Sequence, residues 1–145
     1  MEENLFELIL EKLDEIKEIR FIDFDLGQLT EEKPSITYPA VLIDIDYPLT
    51  QNIDKYLQEV RAIVKLTIIT KSLSETNNLA SKPTRSKGLE FLRLRQKVYK
   101  KLQGFGNEEI FPLERKSMRN AQIRQGLKTT VLLFDTSFHD DTANS

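Results

Sequence analysis

The chain has 145 residues, of which 39% are hydrophobic and 30% charged, a size and balance that predict one folded domain with its own core and exclude a disordered chain. It contains no cysteine, which excludes disulfides, thiolate chemistry and the common zinc frameworks. Its net charge of −2 conceals a segregation: residues 1–81 carry 8 basic and 16 acidic side chains, residues 82–128 carry 13 and 4, and residues 129–145 carry 3 acids and no base.

In chain order, residues 4–18 predict an amphipathic helix. Asn4 is placed to cap it with Glu7 reaching back, and Leu5, Ile9, Leu13 and Ile16 form one apolar stripe. A short strand over 19–24 follows, stopped by Gly27, then a polar loop over 25–35. A second strand is predicted over about 38–47 and a turn over 48–56. A long third strand over 57–70 follows, in which Val60, Ala62, Val64, Leu66 and Ile68 alternate with Arg61, Lys65 and Thr67. That period of two predicts an antiparallel sheet with one face on the core. Residues 71–87 read as a polar loop, with Ser86 capping a second helix over 88–103 whose buried stripe is Phe91, Leu94, Val98 and Leu102, and which Gly104 ends. Strands over about 110–118 and 124–136 close the domain, Gly126 marking a bulge, and 137–145 reads as a flexible polar tail. The expectation is an α+β fold of order α-β-β-β-α-β-β, one domain over 1–136, with an antiparallel β-sheet and both helices on one face.

The N-terminus, Met1-Glu2-Glu3, is acidic where a signal peptide is basic. No apolar run, Val131-Leu132-Leu133-Phe134 included, approaches the roughly 20 residues of a membrane helix. A cytoplasmic protein without membrane contact is therefore expected.

The chemistry-bearing residues are few. His139, the only histidine, falls in the predicted tail and reads as a solvated residue. Asp23 and Asp25, and Asp44 and Asp46, are two apart, so each pair shares one face of a strand. The element order is similar to the core of PD-(D/E)xK-like nucleases, and a Mg²⁺ site built on Asp44, Asp46 and Glu59 is the enzyme alternative. Glu59-Val60-Arg61 departs from that pattern, with arginine where the family has lysine. The other reading of these acids is a solvated sheet face, which is preferred. There is no phosphate-cradling glycine motif, and no cofactor, metal or small-molecule substrate is expected.

The basic stretch over 93–128 is the strongest signal. Arg93, Arg95, Lys97, Lys100 and Lys101 cluster on the second helix, and Arg115, Lys116, Arg119, Arg124 and Lys128 mark the last two strands. Three readings fit: a ring in which the acidic part of one copy meets the basic part of the next, a solvated face, and direct nucleic-acid binding. The ring is preferred, with Arg93, Arg95, Lys100, Lys101, Arg115, Lys116, Arg119 and Arg124 as candidate interface residues.

The layout over about 4–136 resembles the tail-terminator or tail-completion proteins of long-tailed phages, the lambda-like minor tail proteins, and related prophage proteins. The pieces that carry the resemblance are Tyr38-Pro39-Ala40-Val41 entering the second strand and Gly126-Leu127-Lys128-Thr129-Thr130-Val131 in the last. The resemblance implies a non-enzymatic virion assembly subunit, a ring that is commonly hexameric, docked on other tail proteins. It also makes the 71–87 loop and the 115–128 segment candidates for subunit or tube contacts.

Overall fold

The computed structural model describes residues 1–71, 74–124 and 126–144. Ser72 and Leu73 of the predicted 71–87 loop, Gln125 of the predicted last strand and Ser145 of the predicted tail lie outside the described residues.

Helix α1 spans Glu2–Asp14, and its Leu5, Ile9 and Leu13 are fully buried; Ile16 extends the stripe just beyond it. Each such side chain contributes about 1.5–3 kcal/mol relative to an exposed one, so the stripe together outweighs any cap. Asn4 lies inside the helix and caps nothing; its amide donates to Glu109 Oε2 at 3.4 Å. Strand β1 (Phe21–Phe24) and strand β2 (Ala40–Asn52) follow, with a short 3₁₀ turn at Gln28–Thr30 between them. Strand β3 is Gln58–Lys71, so the predicted turn over 48–56 narrows to 53–57, where Asp54 Oδ1 accepts from the N–H groups of Tyr56 and Leu57.

Part of the predicted 71–87 loop is helical. Helix α2 (Lys82–Gly88) begins at Ser81, whose Oγ accepts from the Thr84 N–H, so Ser86 is not a cap. Gly88 at its end has no room for a side chain, since a Cβ would stand 2.5 Å from Thr76 Cγ2 and 2.8 Å from the Ser74 carbonyl oxygen. Helix α3 (Glu90–Leu102) buries Leu94, Val98 and Leu102, and Gly104 at φ +78 stops it.

Strand β4 is Glu114–Ala121 and strand β5 is Leu127–Asp140. The predicted strand from 110 starts late: Pro112 lacks a ladder donor, and Ile110 makes only an isolated bridge to Phe138. The predicted tail from 137 begins later too. Phe138 is on the core face at 2% exposure and pairs with Val60, so β5 runs on to Asp140 opposite Gln58. His139 is thus an exposed strand residue opposite Glu59, edge-on to the Phe111 ring at 6.3 Å. Gly126 is a turn residue at φ +83 and makes no bulge; the register shifts fall at Asp46/Leu49 and Arg115/Ser117.

The five strands among the described residues form one sheet in the order β1-β2-β3-β5-β4. The α+β class and the element order match the expectation, with α2 added. The sheet is mixed: β2, β3, β5 and β4 are antiparallel, while β1 pairs parallel to β2, Phe21 opposite Ala40. A parallel pair needs a crossover connection, and residues 25–39 supply it. That crossover contributes Leu29, Ile36 and Tyr38 to a second apolar cluster with Ala40, Leu42 and Ile69. The main cluster joins α1 and α3 to Val41, Ile43, Val64, Leu66, Leu132 and Phe134, so both long helices pack on one face of the sheet. No helix among the described residues is long and apolar enough to cross a membrane.

Candidate functional site

The strand order turns a sequence asymmetry into a spatial one. The acidic N-terminal part supplies the β1–β2 edge, and the basic part supplies the β4 edge, with β3 and β5 between them. Helix α1 goes with the first edge: Phe6 stacks on Phe24 of β1 at 3.9 Å. Helix α3 goes with the second, because the Arg95 guanidinium donates to Asn120 Oδ1 of β4 at 2.9 Å and Arg115 of β4 lies 4.0 Å over the Tyr99 ring. Glu3, Glu7, Glu11 and Asp14 on α1 are all exposed, as are Arg115, Lys116 and Arg119 on β4 and Lys100 on α3.

Part of the opposed charge is satisfied within the chain. Lys97 pairs with Glu18 at 2.7 Å and Lys101 with Glu15 at 3.5 Å, so the C-terminal end of α1 is stitched to α3. The Lys97 contact holds the Glu18 carboxyl below its ordinary range. Both pairs are exposed, and surface ion pairs of this kind add little to stability.

The eight candidate interface residues divide accordingly. Arg119 and Lys100 make no ion pair among the described residues. Lys116 is shared between Glu114 at 3.2 Å and Asp135 at 4.0 Å, and Lys101 is paired with Glu15. Arg93 donates to the Ser86 carbonyl at 2.7 Å. Arg95 adds a bond to Thr130 Oγ1 at 3.3 Å and is an internal tie from α3 to the sheet. Arg124 is also occupied internally: its guanidinium donates to the carbonyls of Leu29, Glu31 and Glu32, clamping the 25–39 crossover. The sequence could not reveal these two assignments, because the partners are carbonyls and amide or hydroxyl groups far away in the chain.

Both edges are blunted against open-ended strand addition. Strand β1 covers only Ala40–Ile43 of β2, leaving 44–52 uncovered on that side, and Pro48 and the shift against β3 at Asp46/Leu49 interrupt that stretch. Strand β4 carries its own shift at Arg115/Ser117 and exposed cations.

The acids of the enzyme alternative are not brought together. Asp44 and Asp46 stand opposite Lys65 and Ile63, while Glu59 stands opposite Gln51. Glu59 is four residues from Ile63 along β3, about 13 Å at the strand rise, too far to share one cation with Asp46. Among the described residues no group of three or more His, Asp or Glu side chains is gathered for a metal ion.

No protein-family model matches the sequence, and no curated protein matches it either. Among solved structures the chain is similar to one in the virion of a native gene transfer agent particle, with 12% identity over 82% of this chain and 78% of that one, at a TM-score of 0.48. A likeness that distant carries no argument about what this chain does.

Proposed function

We propose that this chain is a non-enzymatic structural and assembly subunit that associates with copies of itself head to tail. The acidic edge formed by α1 and the β1–β2 strands docks on the basic edge formed by α3 and β4 of the next copy. The observation that carries this reading is the strand order, which sets the two charged edges at opposite ends of one sheet. Contacts between unlike patches propagate around a ring when the rotation closes. Opposed potentials fix register and partner choice, and the blunted strand edges favour side-chain contact over unlimited strand addition.

Six of the candidate interface residues fit this role: Arg93, Lys100, Lys101, Arg115, Lys116 and Arg119 lie on α3 or β4 with exposed side chains. Arg95 and Arg124 act from behind, one fixing α3 to the sheet and the other holding the crossover loop. The resemblance of the sequence to tail-completion proteins supplies the setting: a phage or prophage tail, where such a ring docks on other virion proteins.

The test is charge reversal with rescue. Arg119→Glu with Lys100→Glu is expected to abolish self-association at low salt, and adding Glu7→Lys with Glu11→Lys in a second chain is expected to restore it in the mixture. Association that survives the first pair unchanged would remove the edge-to-edge reading.

A further inference from the structure

A cavity of about 890 Å³ lies at the end of the molecule where β3 finishes and β5 begins, between the segment after α1 and the α2–α3 corner. Its lining draws cations from five separate places: Lys17 and Arg20 after α1, Lys71 at the end of β3, Lys87 on α2, Arg93 on α3 and Lys128 on β5. None of these six makes an ion pair among the described residues. A seventh, Lys97, is neutralised by Glu18, and Glu90 is the other acid in the lining. Tyr38 and Phe91 line the same space, with Lys71 at 5.6 Å from the first ring and Lys128 at 5.2 Å from the second. Those contacts hold two of the ammonium groups at the wall.

Six cations that make no ion pair among the described residues line one concavity together with Glu90, and they repel one another. An anion that carries several negative charges at once would offset that repulsion. The volume far exceeds one inorganic phosphate and is in the range of ligand sites. We infer that this cavity binds a ligand carrying two or more phosphate groups. Such groups come from a compact polyphosphate or from a short stretch of nucleic-acid backbone, and the chemistry of recognition is the same. The site shares only Arg93 with the edge-to-edge association proposed above and does not depend on it.

The test uses the full chain with inorganic triphosphate as the probe, followed by backbone amide shifts in NMR and by calorimetry. Binding is expected to move the amides of Arg20, Lys87, Gly88 and Lys128. An exposed charge pair is worth up to about fivefold in an equilibrium constant, and reversal adds repulsion to each lost attraction, so Arg20→Glu with Lys87→Glu is expected to weaken binding roughly tenfold. Both side chains are exposed, so the fold tolerates the change; Arg20→Gln with Lys87→Gln, expected to weaken binding less, guards against misfolding. Lys55→Glu, in the turn at the other end of β3, is the control of comparable chemistry and is expected to change affinity less than twofold. Displacement of triphosphate by an unlabelled thymidine oligonucleotide assigns the nucleic-acid source, and failure to displace assigns the compact one. Shifts spread over the whole surface, equal weakening by Lys55→Glu, or no binding at low salt would each overturn the inference.

Discussion

Arg124 offers a quantitative test of how the 25–39 crossover is held. Its guanidinium donates to the Leu29 carbonyl at 3.2 Å, to the Glu32 carbonyl at 2.9 Å and to the Glu31 carbonyl between them. Hydrogen bonds from a charged donor are worth about 1.5–3 kcal/mol each when buried. Here one half-exposed fork serves all three, and fixing it costs up to about 2 kcal/mol of rotamer entropy. The net loss expected from Arg124→Ala is therefore about 2 kcal/mol. The loss is local, because the crossover buries only Leu29 and its neighbours in the smaller cluster. Amide exchange is the direct assay. The Thr30 and Glu31 N–H groups bond to the carbonyls of Gly27 and Gln28, and a loss of about 2 kcal/mol speeds their exchange about 30-fold. Arg124→Lys, which keeps charge and loses the fork, is expected to fall between. Exchange at Thr30 and Glu31 that is unchanged in Arg124→Ala, with a stability change below about 0.5 kcal/mol, would refute the clamp.

Two smaller predictions follow from single groups. Burial, with the Glu2 carboxylate adding to it, pushes the Tyr47 phenol up to about 12. The unfolded phenol loses its proton near the ordinary value of 10, so this contribution to stability is complete below pH 10 and is lost as pH rises towards 12. Discounted for the ring's exposure, the loss is about 1 kcal/mol, and the unfolding free energy of Tyr47→Phe, measured in urea across that range, is expected to lack it. Thr129 Oγ1 is buried and has no hydrogen-bond partner among the described residues. Thr129→Val keeps the shape and removes the orphan hydroxyl, so urea unfolding is expected to show a gain of up to about 1 kcal/mol; a loss of that size would mean the hydroxyl is satisfied.

What the sequence made legible was what is periodic. The Leu5, Ile9, Leu13 stripe and the alternation from Val60 to Ile68 each repeat at the period of their element, and all of these side chains are buried. The parallel β1–β2 pair was not legible. Leu29, Ile36 and Tyr38 sit in a polar stretch with no period, and their partners Ala40, Leu42 and Ile69 belong to strands whose alternation points the other way. Phe138 stood in a polar surrounding, and it took the pairing of 137–140 with 58–61 to show that β5 continues. The charge blocks were visible, but their meaning needed the strand order, which separated the α1 acids from the β4 cations and spent Glu15 and Glu18 on internal pairs. The cation-lined cavity was invisible because its cations come from five places in the chain.

The central claim is that the two charged edges recognise each other between copies. Its most direct test is the mass in solution, by light scattering after size exclusion, at low salt and at several-fold higher salt. The Debye length shrinks from about 30 Å at 0.01 M to about 8 Å at 0.15 M, so an interface built on exposed opposite charges weakens across that range. A closed oligomer is expected at low salt, falling towards the 16.9 kDa monomer as salt rises. A monomer at every salt and protein concentration, or an oligomer indifferent to salt, would contradict it.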